Sequence, residues 1–287
     1  MARVTKGGTE FDPAALDRTE ARFWREIWDA VPAAVAAEHG VRRAEFGPIQ
    51  ANIVAGLPAV PMLNLVFDSA AGDAAEEGFL AEAIEWTRHQ GVRVCVPVTP
   101  GLPGSERATR WLESSGFAPI PGWMKFVRDP HPPRFEVTTD VEVLEVERDG
   151  PGTAADLPFA AIAATAFDLP AWVADFFAGL PGRPGWRCYV ATVDGEPQAC
   201  AATFVDGDVA ELGIGGTLEG GRRRGCQLAL LRRRIEDAAA AGARTLFVET
   251  GARVPGHPSS SYGNILRAGF EEAYLCPGWI DARLPAG

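Results

Sequence analysis

The chain has 287 residues, of which 47% are hydrophobic, and a formal net charge of −11 at pH 7. This length predicts two domains with substantial cores, and the acidic balance argues against general nucleic-acid binding. There is no apolar run of about 18 residues or more, and the five cysteines form no CxxC pair, so we expect a cytoplasmic protein with reduced thiols, no membrane partner and no metal site.

The first half of the sequence alternates between helical and strand patterns. Residues 1–18 are expected to form a loose leader. A helix is predicted over Glu20–His39, because apolar residues recur there at four-residue spacing, and Pro32 favours a break near Asp29. The remaining predicted elements are strands at 43–46, 52–55 and 62–67, a helix ending near 90, a strand at 92–98, a helix at 106–115, and a strand pair over 117–127 turned at Pro121-Gly122.

A proline-rich segment at 129–133 interrupts these patterns, and we interpret it as a linker. It divides the chain into predicted domains at 1–133 and 134–287. The predicted elements of the second domain are a strand at 136–146, helices at 154–167 and 171–180, hairpin strands at 188–193 and 198–204, a strand at 209–217, a helix at 228–241, a strand at 245–250, a helix at 259–268, and strands at 270–276 and 279–280.

A loop rich in arginine and glycine joins the strand at 209–217 to the helix that begins near Leu228. The first turn of a helix leaves backbone N–H groups unpaired, and the helix dipole adds positive potential there. The loop glycines allow close backbone approach, and Arg222–Arg224 supply positive charge in an otherwise acidic chain. The sequence therefore predicts a seat for a phosphate or pyrophosphate.

An internal repeat relates the two halves. Moving the sequence by 151 residues aligns Gly91 with Gly242, and moving it by 153 aligns Gly116-Phe117 with Gly269-Phe270. Strand, loop, helix, strand, helix and Gly-Phe recur in one order, which favours a true duplication. The segment that aligns with the arginine loop carries acids at 73, 76 and 77 instead of arginines. We therefore expect only the second half to bind the anion.

This order of elements resembles the GNAT family of acyl-CoA-dependent N-acyltransferases. The family motif, Arg/Gln-x-x-Gly-x-Gly/Ala, matches at Arg222 and Gly225, whereas Gln227 stands where Gly or Ala is usual. The resemblance covers residues of roughly 136–280, and the first half only through the repeat. It implies two tandem GNAT-like α/β domains, each with a central twisted mixed β-sheet flanked by helices, the first being a degenerate copy without a CoA site.

The resemblance also implies acetyl-CoA, or another acyl-CoA, as co-substrate, without a metal. Backbone N–H groups of the arginine loop would hold the pyrophosphate, and the strand edge would pair with the pantetheine arm where two central strands splay apart. The residues that the resemblance assigns to the cofactor are Gly215, Thr217, Arg222, Arg223, Arg224, Gly225, Cys226, Gln227 and Asn264.

Acyl transfer to an amine needs an acceptor for the amine proton and a donor for the leaving thiolate. Glu211 occupies a strand position where many relatives carry a general base, and Glu249, at the end of the next strand, faces the same predicted cleft. Many relatives place a tyrosine acid where this chain has Ile265, so Tyr262, one turn earlier, or Tyr274 is a candidate to replace it. The plainer interpretations are solvated or substrate-binding carboxylates and packed aromatic rings.

The resulting prediction is an acyltransferase that moves acetyl from acetyl-CoA to the amine of a small molecule by direct attack in a ternary complex. Two alternatives stay open: a non-catalytic acyl-CoA sensor or interaction protein, and a tandem-GNAT ligase that uses aminoacyl-tRNA. The acceptor, the acyl chain and the oligomeric state are left open by the sequence. The tryptophans considered for an acceptor pocket are Trp24, Trp28, Trp86, Trp172 and Trp186.

Overall fold

The computed structural model describes residues 3–6, 8–70, 76–137, 140–147, 158–254, 256 and 259–283. They are arranged around one continuous sheet of eleven strands, with a separate two-stranded hairpin near the amino terminus. Among the described residues, no helix combines the length and the apolar character that crossing a membrane requires.

The first half begins with the small hairpin and ends on a long strand. Its elements are β1 (Val4–Lys6), β2 (Thr9–Phe11), α1 (Pro13–Ala30), α2 (Ala33–His39), β3 (Val41–Phe46), β4 (Ile49–Val54), a 3-10 turn (Pro61–Leu63), β5 (Leu65–Phe67), α3 (Glu76–His89), β6 (Cys95–Pro97), α4 (Ser105–Ser114) and β7 (Phe117–Arg128).

The second half follows an irregular segment that contains the predicted linker. Its elements are β8 (Val141–Glu145), α5 (Pro158–Ala166), a 3-10 turn (Ala171–Val173), α6 (Ala174–Ala178), β9 (Trp186–Val193), β10 (Glu196–Asp206), β11 (Val209–Thr217), a 3-10 turn (Glu219–Gly221), α7 (Cys226–Ala240), β12 (Thr245–Gly251), α8 (Ser260–Arg267) and β13 (Glu271–Asp281). Of the helix predicted at 154–167, residues 154–157 lie outside the described part of the chain.

The sheet is mixed and symmetric about its centre. Its strand order is β3-β4-β5-β6-β13-β7-β12-β11-β10-β9-β8. The pairs β5–β6 and β11–β12 are parallel, and the other neighbours are antiparallel. The same pattern of pairings therefore runs outwards from the β13–β7 pair in both directions, and the second half adds one further edge strand, β8. The predicted mixed sheet flanked by helices is confirmed, and the sheet carries the repeat seen in the sequence.

The two halves exchange their last strands. β7, from the first half, pairs with β12 of the second half, whereas β13, from the second half, pairs with β6 of the first. These are the strands that follow Gly116-Phe117 and Gly269-Phe270, which the repeat aligned. Side chains of the first half are thereby placed directly beside the strands of the second.

A shared hydrophobic core also joins the halves. Phe23 and Ile27 of α1 belong to the same buried cluster as Phe159, Phe176 and Phe204 of the second half. The ring of Phe23 lies 6.3 Å from that of Phe204, centroid to centroid. Helix α1 therefore packs across the boundary between the halves and is positioned beside β11.

The predicted loose leader is wrong. Residues 4–6 and 9–11 form strands, and helix α1 already begins at Pro13, because the Asp12 carboxylate accepts a hydrogen bond from the Ala14 N–H at 3.0 Å. Phe11 and Leu16 are both buried. The predicted break near Asp29 is confirmed, since α1 ends at Ala30 and α2 begins at Ala33.

The predicted turn at Pro121-Gly122 is also wrong, because β7 continues through it as one strand. Opposite this point the register of β13 shifts between Cys276 and Gly278, so the pair is bulged. Gly122 has a φ of +69°, and a Cβ added there would lie 2.0 Å from the carbonyl oxygen of Cys276. The dipeptide bends a continuous strand and brings two backbones together.

Candidate active site

The cleft begins where two parallel strands separate. β11 and β12 are in register over three residue pairs, the last of which is Glu211 opposite Phe247. β11 then runs on to Thr217 and β12 to Gly251 without further pairing between them in the described residues. The diverging strands leave a wedge whose facing backbone edges are open to a ligand. The separation of β11 and β12 matches the predicted splaying of two central strands.

A β-bulge shapes the outer side of the wedge. The register between β10 and β11 shifts between Cys200 and Ala202, and Ile214 adopts a φ of +48°. Such a conformation costs a β-branched residue about 1–3 kcal/mol, so the surroundings must enforce it. The buried guanidinium of Arg234 does so, since it donates hydrogen bonds to the carbonyl oxygens of Ala202 and Gly213, each at 3.2 Å.

The arginine loop borders a cavity of about 710 Å³ at the amino terminus of α7. Gly225 precedes the helix with a φ of +87°, and among the described residues no side chain is seen to cap the first helical N–H groups. The N–H of Arg224 donates to the carbonyl of Gly221 at 3.3 Å, so the unsatisfied donors begin at Gly225. The left-handed conformation explains the glycine, and the free donors make this end of the helix suitable for an anion.

The three loop arginines are not equivalent. Arg222 and Arg223 line the cavity together with Arg267, which the sequence analysis missed. Arg224 instead forms an ion pair with Asp194 at 3.1 Å and is not among the residues that line the cavity. The positive charge facing the cavity therefore comes from Arg222, Arg223 and Arg267.

Gln227 bridges α7 and α8. Its Nε2 donates to the Ser261 hydroxyl at 2.9 Å, and its Oε1 accepts from the Asn264 amide at 2.8 Å. The side-chain amide is thus engaged within the protein. The glutamine fixes the second wall of the cleft against the first.

The other residues predicted for the cofactor lie along two adjoining cavities, of about 710 and 240 Å³. Gly215 lies on the open edge of β11, where an added Cβ would meet nothing within 4 Å. Cys226 is buried, so it offers its backbone rather than its thiol. The structure therefore brings together all predicted cofactor residues except Arg224; the cavity-lining ones are Gly215, Thr217, Arg222, Arg223, Gly225, Cys226, Gln227 and Asn264.

A cluster of three glutamates and one lysine lies at the base of the wedge. The Lys125 ammonium lies 2.7 Å from Glu20 and also contacts the carboxylate of Glu249. Lys125 and Glu249 are directly opposite each other on β7 and β12. Glu211 is 2% exposed, and its Oε2 has no hydrogen-bond partner among the described residues. A buried carboxylate oxygen without a partner calls for an explanation, such as a hydrogen bond to a bound ligand.

Burial controls the protonation of this cluster. It raises the pKa of Glu211 well above its usual range, with the charges of Glu20 and Glu249 acting in the same direction and Lys125 opposing them. Burial likewise raises the pKa of Glu20 to about 8 against the opposing charge of Lys125. Burial alone would lower the pKa of Lys125, but Glu20 and Glu249 outweigh it and hold that pKa above its ordinary value. The lysine is therefore charged, and Glu20 and Glu211 keep their protons to higher pH than ordinary carboxyl groups do.

Residues 131–252 match a family model described as an acetyltransferase (GNAT) domain. This segment is a GNAT acetyltransferase domain. It contains the splayed strands, the arginine loop, Glu211 and Glu249. A comparison with curated protein sequences finds no significant match.

Solved structures extend the likeness to the whole fold. A GCN5-related N-acetyltransferase from Kribbella flavida is 18% identical with a TM-score of 0.60, over 94% of this chain and 95% of that one. A tandem GNAT protein from the clavulanic acid biosynthesis pathway is 15% identical with a TM-score of 0.54, over 81% and 77%. An acetyltransferase of the GNAT family from Colwellia psychrerythraea is 13% identical with a TM-score of 0.52, over 98% of each chain. At these identities the structures support a shared fold, here the tandem GNAT arrangement.

Tyr262, the predicted acid, lies away from the GNAT cleft. It is buried, its hydroxyl donates to Glu272 at 2.5 Å, and it is absent from the lining of the cavities described above. Burial, with help from Glu272, raises its pKa to about 12. Ile265 does line the cleft. The placement favours a packing role for Tyr262, and our proposal for the chemistry leaves it out.

Two residues of the cluster were missed because they belong to the first half. Glu20 begins a predicted amphipathic helix, and Lys125 lies in a segment predicted to fold back on itself. Neither position carries a local signal of burial beside a GNAT cleft. A lysine within an apolar strand is the one hint, since an unpaired buried lysine is rare and calls for carboxylate partners.

Proposed function

We propose that the protein is an acyl-CoA-dependent N-acyltransferase that transfers acetyl from acetyl-CoA to the amine of a small molecule by direct attack in a ternary complex. The proposal extends the coarser conclusion, that the chain carries an acetyltransferase domain, to a substrate class and a mechanism.

One observation carries the proposal: the anion seat and the carboxylate cluster are linked by a series of cavities. The cavity at the arginine loop shares Thr217 and Gln227 with the cavity along β11. The latter shares Gly215 and Gln227 with a third cavity, of about 220 Å³, that Glu211 lines. A pyrophosphate at the helix terminus and a thioester in the wedge can thus occupy one path. The residues along this path therefore suit an acyl-CoA, with positive charge at one end and an open strand edge next to it.

The roles of the chain's own residues follow from their placement. The free N–H groups from Gly225 onwards, with Arg222 and Arg223, would hold the pyrophosphate, and the open edge of β11 would pair with the amide-containing arm. When bound, acetyl-CoA supplies an activated acyl carbon. As the amine nitrogen bonds to that carbon and the carbon–sulfur bond breaks, Glu211 accepts the amine proton, and water gives a proton to the leaving thiolate. The products are the N-acetylated amine and CoA.

CoA binding is tested by reversing single loop charges. Because a hydrogen bond to a charged group contributes about 1.5–3 kcal/mol, Arg222→Glu should weaken CoA binding roughly tenfold to hundredfold. Arg224→Glu is the matched control, since Arg224 faces Asp194, and should weaken binding less than about threefold. Both affinities are measured by titration calorimetry. Equal affinities for wild type and Arg222→Glu would overturn the assignment of the loop.

Chemistry is tested separately with Glu211→Gln, which keeps the shape of the side chain. Loss of a general base typically lowers kcat by about a hundredfold to ten-thousandfold. CoA release from acetyl-CoA is followed with an amine acceptor while CoA affinity is measured in parallel. Retained affinity without turnover in wild type, over a broad panel of amines, would instead indicate the non-catalytic acyl-CoA-binding alternative.

A further inference from the structure

The third cavity has two chemically distinct walls. Its polar wall belongs to the second half and includes Glu211 and Glu249. The rest of the lining is mostly aromatic and apolar, and much of it comes from the first half. The aromatic and sulfur-containing members of this second wall are Phe23, Trp24, Met62, Trp123, Phe167 and Phe177.

The aromatic wall is held in place by its neighbours. Trp24 stacks on Phe67 with ring centroids 6.4 Å apart, and it meets Phe23 and Trp28 edge-on at 5.7 and 5.9 Å. Trp123 lies on β7 opposite Gly251 of β12, a residue that has no side chain to occupy the space beside the indole. Rigid aromatic faces bind an apolar or cationic group with little loss of conformational entropy.

The hydrogen bonds around the cavity leave one carboxylate oxygen available to an amine. Both positive side chains near it are already engaged: Lys125 with Glu20 and Glu249, and Arg234 with backbone carbonyl oxygens. The Oε2 atom of Glu211 has no partner in the described part of the chain. An ammonium group would complete its hydrogen bonding.

The size of the cavity limits the acceptor. The cavity has a volume of about 220 Å³ and is continuous with the cavity along β11. One small ring with a short amine arm fits this space. A polyamine gains little from apolar walls.

We propose that the acceptor is a compact primary amine with an aromatic or similarly apolar body, held between the tryptophans of the first half and the carboxylates of the second. The inference rests on the proposed N-acyltransferase function. It assigns the first half a specific task, the recognition of the acceptor's body, while the second half carries the acyl donor and the proton acceptor.

The first test compares acceptors on the full-length protein with saturating acetyl-CoA. The probes are 2-phenylethylamine, ethylamine and spermidine, and kcat/KM is obtained from the release of the CoA thiol. Because burial of an aromatic ring contributes about 1.5–3 kcal/mol, 2-phenylethylamine should exceed ethylamine roughly tenfold to hundredfold. A kcat/KM for ethylamine or spermidine equal to or above that for 2-phenylethylamine would overturn the inference and leave the proposed function standing.

Tryptophan variants test which residues produce the preference for 2-phenylethylamine over ethylamine. Trp123→Ala should reduce the ratio of kcat/KM between 2-phenylethylamine and ethylamine to less than about threefold, because the ring loses its main contact. Trp86→Ala is the matched control, since Trp86 packs against Phe46 outside this cavity. An unchanged ratio in folded Trp123→Ala would contradict the placement of the acceptor.

A binding measurement keeps the inference testable if turnover or folding fails. N,N-dimethyl-2-phenylethylamine carries the ammonium and the ring but cannot form a stable amide, and 3-phenyl-1-propanol carries the ring without the charge. Calorimetry with wild type should show the amine binding about tenfold or more tightly than the alcohol. If no amine is turned over but the tertiary amine still binds more tightly than the alcohol, the proposed function is refuted and the inference about the binding site stands. Equal or absent binding of the two compounds would refute the inference.

Discussion

Replacing Glu20 with glutamine should remove part of the protein's loss of stability at rising pH. Glu20 is 6% exposed, and burial raises its pKa from 4.5 to about 8. In the unfolded chain the carboxyl ionises near its ordinary value, so between these limits the native state binds a proton that the unfolded state has lost. Stability is therefore full below about pH 4.5 and falls by about 1.4 kcal/mol per pH unit up to about pH 8. The whole interval amounts to about 5 kcal/mol.

Glu20→Gln has no proton to lose at this position, and Lys125 keeps Glu249 as a partner. Urea unfolding at about pH 5.5, 6.5 and 7.5 should show the variant gaining on wild type by roughly 1.4 kcal/mol per pH unit. Glu38→Gln is a control, since it removes a carboxylate whose side chain is 76% exposed. A difference between Glu20→Gln and wild type that stays constant over this range would refute the reasoning.

The remaining predictions concern the rate profile and the strand exchange. If Glu211 is the base, kcat/KM rises with pH through the elevated pKa of Glu211. Lys125→Met removes a cation that lowers this pKa and should move the rise in kcat/KM to higher pH. Glu249→Gln removes an anion that raises this pKa and should move the rise to lower pH. If the pH–rate profiles of the two variants shift in the same direction, this electrostatic account is contradicted. Gly122→Ala places a Cβ against the backbone of β13 and should cost about 2–4 kcal/mol in urea unfolding. Gly91→Ala, at a similar positive φ but in open space, should cost only about 1 kcal/mol, and equal losses would argue against the close approach.

The parts of the site that depend on neighbouring residues in sequence could be predicted. The arginine loop, Gly225 and the start of α7 are local, because glycine conformation and helix termini are set within a few residues. The repeat also aligned Gly116-Phe117 correctly with Gly269-Phe270, since each dipeptide follows a short helix and leads into a strand. Local rules were enough to predict a glycine-rich loop at the start of a helix, and the structure places that loop beside a cavity.

The acceptor side of the cleft could not be predicted in the same way. Its carboxylate cluster joins residues 20, 125, 211 and 249, and its aromatic wall spans both halves. Whether a strand pairs within its own half or with the other half depends on nonlocal contacts that leave the local pattern unchanged. Pro121-Gly122 resembles a turn signal for the same reason: the dipeptide forms a bulge in β7, and the strand opposite it, β13, lies about 150 residues away in the sequence.

Because the halves exchange strands, residues of both halves form the cleft. Trp123 and Lys125 lie two positions apart on β7, so the alternation of a strand directs both towards the same face. Pairing of β7 with β12 places that face beside Glu249, and the lysine and the aromatic wall enter the site together. A fragment restricted to residues 134–287 would lack β7, expose the edge of β12 and leave Glu249 without its lysine. In this fold the first half is therefore needed to complete the cleft even if it binds no cofactor of its own.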